Sequence, residues 1–146
     1  MPAPALLLRP STPADLPAIT AIYAEAVLHG TGTFELEPPD EAEMARRRDD
    51  VLSKGLPWLV AQARGDGGKV LGYAYANHFR PRKAYRFCLE DSIYLHPDAR
   101  GLGVGKLLLA ELMARCTSCC VLYWKMSPGV KRFHPCSGWP NEPRDV

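Results

Sequence analysis

Long hydrophobic runs are missing from this chain: no stretch approaches the roughly 18–20 apolar residues that a bilayer-spanning helix needs. A dominant sign of charge is missing too. The 18 Lys and Arg residues face 16 Asp and Glu, a net charge of +2. That excess is too small, and too scattered among acidic residues, to build a nucleic-acid-binding stripe. Residues 1–8 are apolar, yet no basic residue precedes them and no small-residue cleavage pattern follows, so a secretory leader is not expected. The expectation is a cytoplasmic protein with no membrane or nucleic-acid partner.

Paired cysteines are also lacking. The five present, Cys88, Cys116, Cys119, Cys120 and Cys136, are odd in number and crowded toward one end, which does not describe a disulfide framework. Cys116-x-x-Cys119 followed by His134-x-Cys136 lacks the two clean pairs of a zinc-binding tail. Reduced thiols and no metal are expected. What the chain does have is ordinary for one globular domain with a real core: 146 residues, 47% hydrophobic and 23% charged.

Residues 5–10 read as an edge strand. Thr12-Pro13-Ala14-Asp15 predicts a helix start, with Thr12 as cap, Pro13 in the first turn and Asp15 three residues after the cap. Leu16, Ile19, Tyr23 and Val27 follow at helical spacing. Gly30-Thr31-Gly32 ends that helix, and residues 34–36 read as extended. Asp40, with Glu43 three residues on, opens a second helix that Gly55 closes. Its central run, Arg46-Arg47-Arg48-Asp49-Asp50, reads as a solvated face with internal ion pairs. Residues 58–64 and 70–77 are strand-like around a glycine-rich hairpin, and residues 85–95 form a third run. Residues 104–115 are a Leu-rich helix.

Between the last strand and that helix stands Arg100-Gly101-Leu102-Gly103-Val104-Gly105-Lys106. A helix N-terminus offers unpaired N–H groups and partial positive charge, and glycines let the backbone come close to a phosphate. Two rival phosphate loops are excluded. Leu107 follows Lys106, so the hydroxyl that an NTPase P-loop gives to magnesium is absent. The glycine spacing also departs from the dinucleotide fingerprint.

Arg100-x-x-Gly103-x-Gly105, entered from a strand ending Tyr94-Leu95-His96-Pro97, resembles the acetyl-CoA motif of the GNAT superfamily of N-acetyltransferases. That motif reads Gln or Arg, two residues, Gly, one residue, then Gly or Ala. The resemblance implies that the loop from Arg100, with the N–H groups of Leu102, Gly103, Val104, Gly105 and Lys106, binds the pyrophosphate of acetyl-CoA. It also implies that the backbone around Ile93 and Leu95 pairs with the pantetheine arm. Further blocks, Gly32-Thr33-Phe34-Glu35, Gly72-Tyr73-Ala74-Tyr75-Ala76, Arg80-Pro81-Arg82-Lys83-Ala84-Tyr85 and Glu90-Asp91-Ser92-Ile93-Tyr94, are similar to the phosphinothricin / methionine sulfone acetyltransferase branch.

The resemblance implies an α/β (α+β) fold, a mixed and mostly antiparallel sheet with flanking helices. It implies acetylation of a small-molecule amine, an amino-acid analogue of the phosphinothricin, methionine sulfone or sulfoximine type. Acetyl-CoA is then the cosubstrate, no metal is needed, and a homodimer is admitted. Glu90 matches the family's base, which must deprotonate an amine before it attacks a thioester. Asp91 points to the opposite face by strand alternation. A backbone N–H near Tyr94 is the expected donor to the thioester oxygen. Arg82, with Arg80, matches the substrate-anchoring cations, and Phe34 and Tyr85 the pocket lining. Acetylation of other amines or protein N-termini, or a catalytically inactive CoA-binding remnant, are the rival readings.

After Arg115 the family pattern stops. Residues 1–115 are therefore expected to be the acetyltransferase core and residues 116–146 an atypical segment, with one strand within residues 119–125 and an irregular tail. This predicts a truncated or replaced end, incomplete C-terminal strands and a cofactor cleft without its second wall.

Overall fold

The computed structural model describes residues 5–65, 67–79, 83, 88–116, 121–125 and 131–135, the last two segments and Cys88 through their backbone alone. Strand β1 (Leu6–Pro10) leads into a single tight turn, Pro13–Asp15, and helix α1 (Leu16–His29). The predicted capping residues are there, but the carboxylate does most of the work. Asp15 accepts from the Thr12 N–H at 2.7 Å and its hydroxyl at 3.1 Å, and takes both terminal nitrogens of Arg9 at 2.7 and 2.8 Å. Helix α2 (Glu41–Ser53) opens as its sequence predicts, with the Asp40 carboxylate accepting from the Glu43 N–H at 2.8 Å.

Strands β2 (Trp58–Ala63), β3 (Val70–His78) and β4 (Cys88–Leu95) form an antiparallel meander beside β1. Helix α3 (Val104–Arg115) then crosses over to β5 (Val121–Lys125), which pairs parallel with β4. Strand β6 (Lys131–Pro135) pairs antiparallel with β5 and completes a six-stranded sheet in the order β1-β2-β3-β4-β5-β6. The edge position of β1 follows the prediction. β6 does not, because it falls in what reads as an irregular tail. β5 is the strand expected within residues 119–125, and it stands beside the first half of β4.

Side-chain alternation sorts the layers. On one face Trp58 stacks on Tyr75 with centroids 4.2 Å apart, Tyr73 on Tyr94 at 5.3 Å, and Tyr23 of α1 meets Tyr94 edge-on at 5.0 Å. On the other face α3 packs its buried Val104, Leu108 and Leu112 against the sheet. The contact is close because Gly72 of β3 has no side chain: a Cβ there would lie 3.4 Å from Leu108 Cδ1. Among the described residues no helix is long and apolar enough to cross a membrane.

Candidate acyl-transfer site

Strand β4 is paired unequally along its two sides. β3 accompanies Leu89–Leu95, whereas β5 accompanies only Cys88–Asp91. Residues 92–95 thus present an edge that no described strand covers. An antiparallel ladder alternates which residues exchange bonds with the partner. The His96 N–H donates to the Leu71 carbonyl at 2.9 Å, so the alternation turns the Tyr94 N–H toward Tyr73 and leaves those of Ile93 and Leu95 facing the open edge. The sequence leads us to expect an oxyanion donor near Tyr94, and of the backbone N–H groups there the ladder leaves those of Ile93 and Leu95 unpaired with β3.

The strand ends in a second tight turn, Pro97–Ala99, fixed by Asp98 N–H donating to His96 Nδ1 at 3.2 Å and by the buried Ala99. Gly103 then caps α3 in a left-handed conformation, φ +80°, which other residues adopt only with strain. The first intrahelical bond runs from Leu107 N–H to the Gly103 carbonyl at 3.2 Å. The N–H groups of Val104, Gly105 and Lys106 therefore have no acceptor within the helix and project from its positive end. The Val104 side chain is fully buried, so only its backbone is offered. Arg100, Leu102 and Lys106 are exposed around the loop.

The helix end and the open edge share a cleft of about 740 Å³. Of the predicted site residues, Phe34, Glu90, Ile93, Tyr94, Leu95, Gly105 and Lys106 line it. Arg80, Arg82 and Tyr85 lie outside the described residues. Glu90 is half-buried on the cleft face beside Asn77, its partner across the ladder. Asp91 is 1% exposed on the opposite face, and neither of its oxygens has a hydrogen-bond partner among the described residues. Burial, with Glu90 adding to it, pushes its carboxyl up to about 6. Burial likewise raises the Tyr94 phenol, so it stays protonated at neutral pH.

Three residues without a predicted role complete the cleft. Tyr23 and Glu35 line it, and Arg47 of α2 holds Glu35 from behind. The predicted solvated run is thus only partly solvated: Arg47 is turned to Glu35, and Arg48 is buried and bonded to the Ser11 hydroxyl and carbonyl, both at 2.8 Å.

Known proteins are similar to this chain in sequence and fold. The acetyltransferase (GNAT) family model matches residues 19–134. The phosphinothricin N-acetyltransferase of Alcaligenes faecalis is 62% identical over 102 residues, 70% of this chain and 50% of that protein. The L-methionine sulfoximine/L-methionine sulfone acetyltransferase of Pseudomonas aeruginosa is 39% identical over 108 residues, 74% of this chain and 62% of that one. The crystal structure of a GNAT superfamily phosphinothricin acetyltransferase from Sinorhizobium meliloti, in complex with AcCoA, aligns with a TM-score of 0.77 at 50% identity. That alignment covers 82% of this chain and 64% of the other. The chain spans between half and two-thirds of the length of these relatives.

Proposed function

The chain belongs to the GNAT family of acetyltransferases, and from that premise we propose that it moves the acetyl group of acetyl-CoA to the amino group of a small amino-acid analogue of the phosphinothricin or methionine sulfone type. One observation carries the reading: an uncovered strand edge, a helix N-terminus and a half-buried carboxylate, Glu90, open into the same cleft. The first two suit a ligand that is an extended amide arm at one end and a pyrophosphate at the other. The third suits an amine that arrives protonated.

In this reading Ile93 and Leu95 pair with the pantetheine arm, and the N–H groups from Leu102 to Lys106 hold the pyrophosphate. Glu90 takes the ammonium proton, directly or through one water. The freed nitrogen attacks the thioester carbon. An outward N–H of β4, from Ile93 or Leu95, stabilises the oxygen as it becomes negative. The C–N bond forms, the C–S bond breaks, and the CoA sulfur leaves as thiolate, which is protonated as the nitrogen sheds its second proton. Arg82 and Arg80 anchor the acceptor's acidic groups in a forked geometry, with Phe34 and Tyr85 as its walls. The similarity to the Alcaligenes and Pseudomonas enzymes supports this substrate class.

The test is CoA thiol release from purified protein given acetyl-CoA with phosphinothricin or methionine sulfone. Turnover that Glu90→Gln lowers roughly 10²–10⁴-fold supports the assignment. Equal turnover by the variant removes Glu90 from the role of base. No release with any amine overturns the transferase reading.

A further inference from the structure

We propose that Tyr23, Glu35 and Arg47 form a positioning clamp that sets the acceptor wall of the cleft, an inference that rests on the amine-binding reading above. Residues 30–40, between α1 and α2, have no regular secondary structure. Apolar burial holds little of this segment, since Phe34 is 84% exposed and Leu36 92% exposed. Polar contacts hold it instead. The Glu35 carboxylate accepts from Arg47 Nη2 at 2.6 Å and Nη1 at 3.2 Å. The Tyr23 hydroxyl donates to the same carboxylate and shares a hydrogen bond with the Thr33 hydroxyl at 3.0 Å.

Each member is itself fixed. Arg47 Nε donates to Glu43 at 2.8 Å, one turn back on α2, and its guanidinium lies 5.9 Å from the centre of the Tyr23 ring. The Tyr23 ring meets Tyr94 edge-on at 5.0 Å, on the strand whose edge faces the cleft. The clamp thus joins α2, the loop, α1 and β4 in one contiguous set. Thr33 and Glu35 are both turned inward, which leaves Phe34 between them at the mouth of the cleft.

The pairing has a chemical consequence as well. Glu35 is a second carboxylate in the cleft, and the Arg47 guanidinium, with the Tyr23 hydroxyl, holds it below the usual carboxylate range. It remains an anion committed to Arg47, which leaves Glu90, among the described residues that line the cleft, as the carboxylate available to an incoming ammonium. The bidentate geometry matters more than the charge, because both side chains are about a third exposed and an isolated surface pair contributes little.

Two readouts test the clamp in the full chain. In steady-state kinetics, Glu35→Gln and Tyr23→Phe raise the KM for the amine about tenfold, with kcat and the KM for acetyl-CoA within about twofold of the parent. Arg47→Lys retains more of the amine affinity than Arg47→Met. Independently of any turnover, hydrogen exchange of the backbone amides of residues 31–37 accelerates in Glu35→Gln, while α1 and α2 exchange as in the parent. Unchanged loop exchange, or equal rises in both KM values, overturns the clamp. Faster loop exchange in a protein that acetylates no amine upholds the clamp and sinks the acetyl-transfer reading, so the two fail separately.

Discussion

Glu90 and Asp91 are adjacent carboxylates with opposite surroundings, and Asp15 supplies a third case. Asp15 is 6% exposed but takes the Arg9 fork, which draws its carboxyl down. Asp91 is as deeply buried with no donor among the described residues, and its carboxyl rises from 3.8 to about 6. The two titrate in opposite senses. Stability from Asp15 is present above the unfolded carboxylate range and is lost as pH falls through its lowered folded value. For Asp91 the folded chain keeps a proton that the unfolded chain has released, so stability falls as pH rises from about 4 to about 6. A separation of about two pH units corresponds to about 3 kcal/mol once Asp91 is ionised. Asp91→Asn should therefore raise the urea midpoint more at pH 7.5 than at pH 4.5. Equal changes at both values would show that its charge is not what costs stability. Strand alternation alone predicts that Glu90 and Asp91 face opposite ways, because it is a local rule. Nothing local reveals that Arg47 turns to Glu35, 12 residues away across a loop. In sequence it sits in a run of three arginines followed by two aspartates, and that run reads as solvent-facing.

Gly72 of β3 sits opposite Leu95 of β4, beneath α3. A Cβ at this position would lie 2.6 Å from Leu95 Cδ2 and 2.9 Å from the Tyr94 carbonyl oxygen. The leucine can rotate away, but the backbone oxygen belongs to the strand that presents the open edge. Gly72→Ala should cost roughly 1–3 kcal/mol of stability, as overpacking does, and weaken CoA binding by displacing residues 93–95. Gly32→Ala, with nothing within 4 Å of its Cβ, should leave the chemical-denaturation midpoint near the parent's. Matching midpoints for the two variants would mean that β3 and β4 absorb the methyl freely. The elements around this contact were legible because each carries its own signal. α1 and α2 have capping residues and glycine stops, α3 has a glycine-rich start and leucine spacing, and β2 and β3 flank glycine turns. β6 carries none. Its five residues, Lys-Arg-Phe-His-Pro, show no apolar alternation, and pairing with β5 from Val121↔Pro135 to Lys125↔Lys131 defines it.

At the scale of the molecule, the sheet divides at β4. Every described strand on the β1 side is antiparallel to its neighbour, and the parallel step to β5 after the α3 crossover is where the ladder opens. β5 begins opposite Cys88 and its pairing stops at Asp91, so residues 92–95 of β4 lie beyond it, and the loop that starts α3 stands beside that uncovered end. A ligand that pairs with residues 93–95 and caps α3 satisfies strand-edge and helix-end groups in one event. Because that complete site exists only in the folded chain, acetyl-CoA should bind the folded form alone and raise its thermal midpoint. At a hundredfold excess over Kd the added stability is about 2.7 kcal/mol, a shift of several degrees for a domain of this size. Gly103→Val should abolish the shift, since a β-branched residue at φ +80° distorts the helix start. Differential scanning fluorimetry with acetyl-CoA, and with adenosine as a ligand lacking both the arm and the pyrophosphate, measures it. A shift with adenosine equal to that with acetyl-CoA would place the binding elsewhere than at the β4 edge and the α3 N-terminus. No shift with acetyl-CoA up to millimolar concentration would mean that these two features do not form a CoA site in this chain.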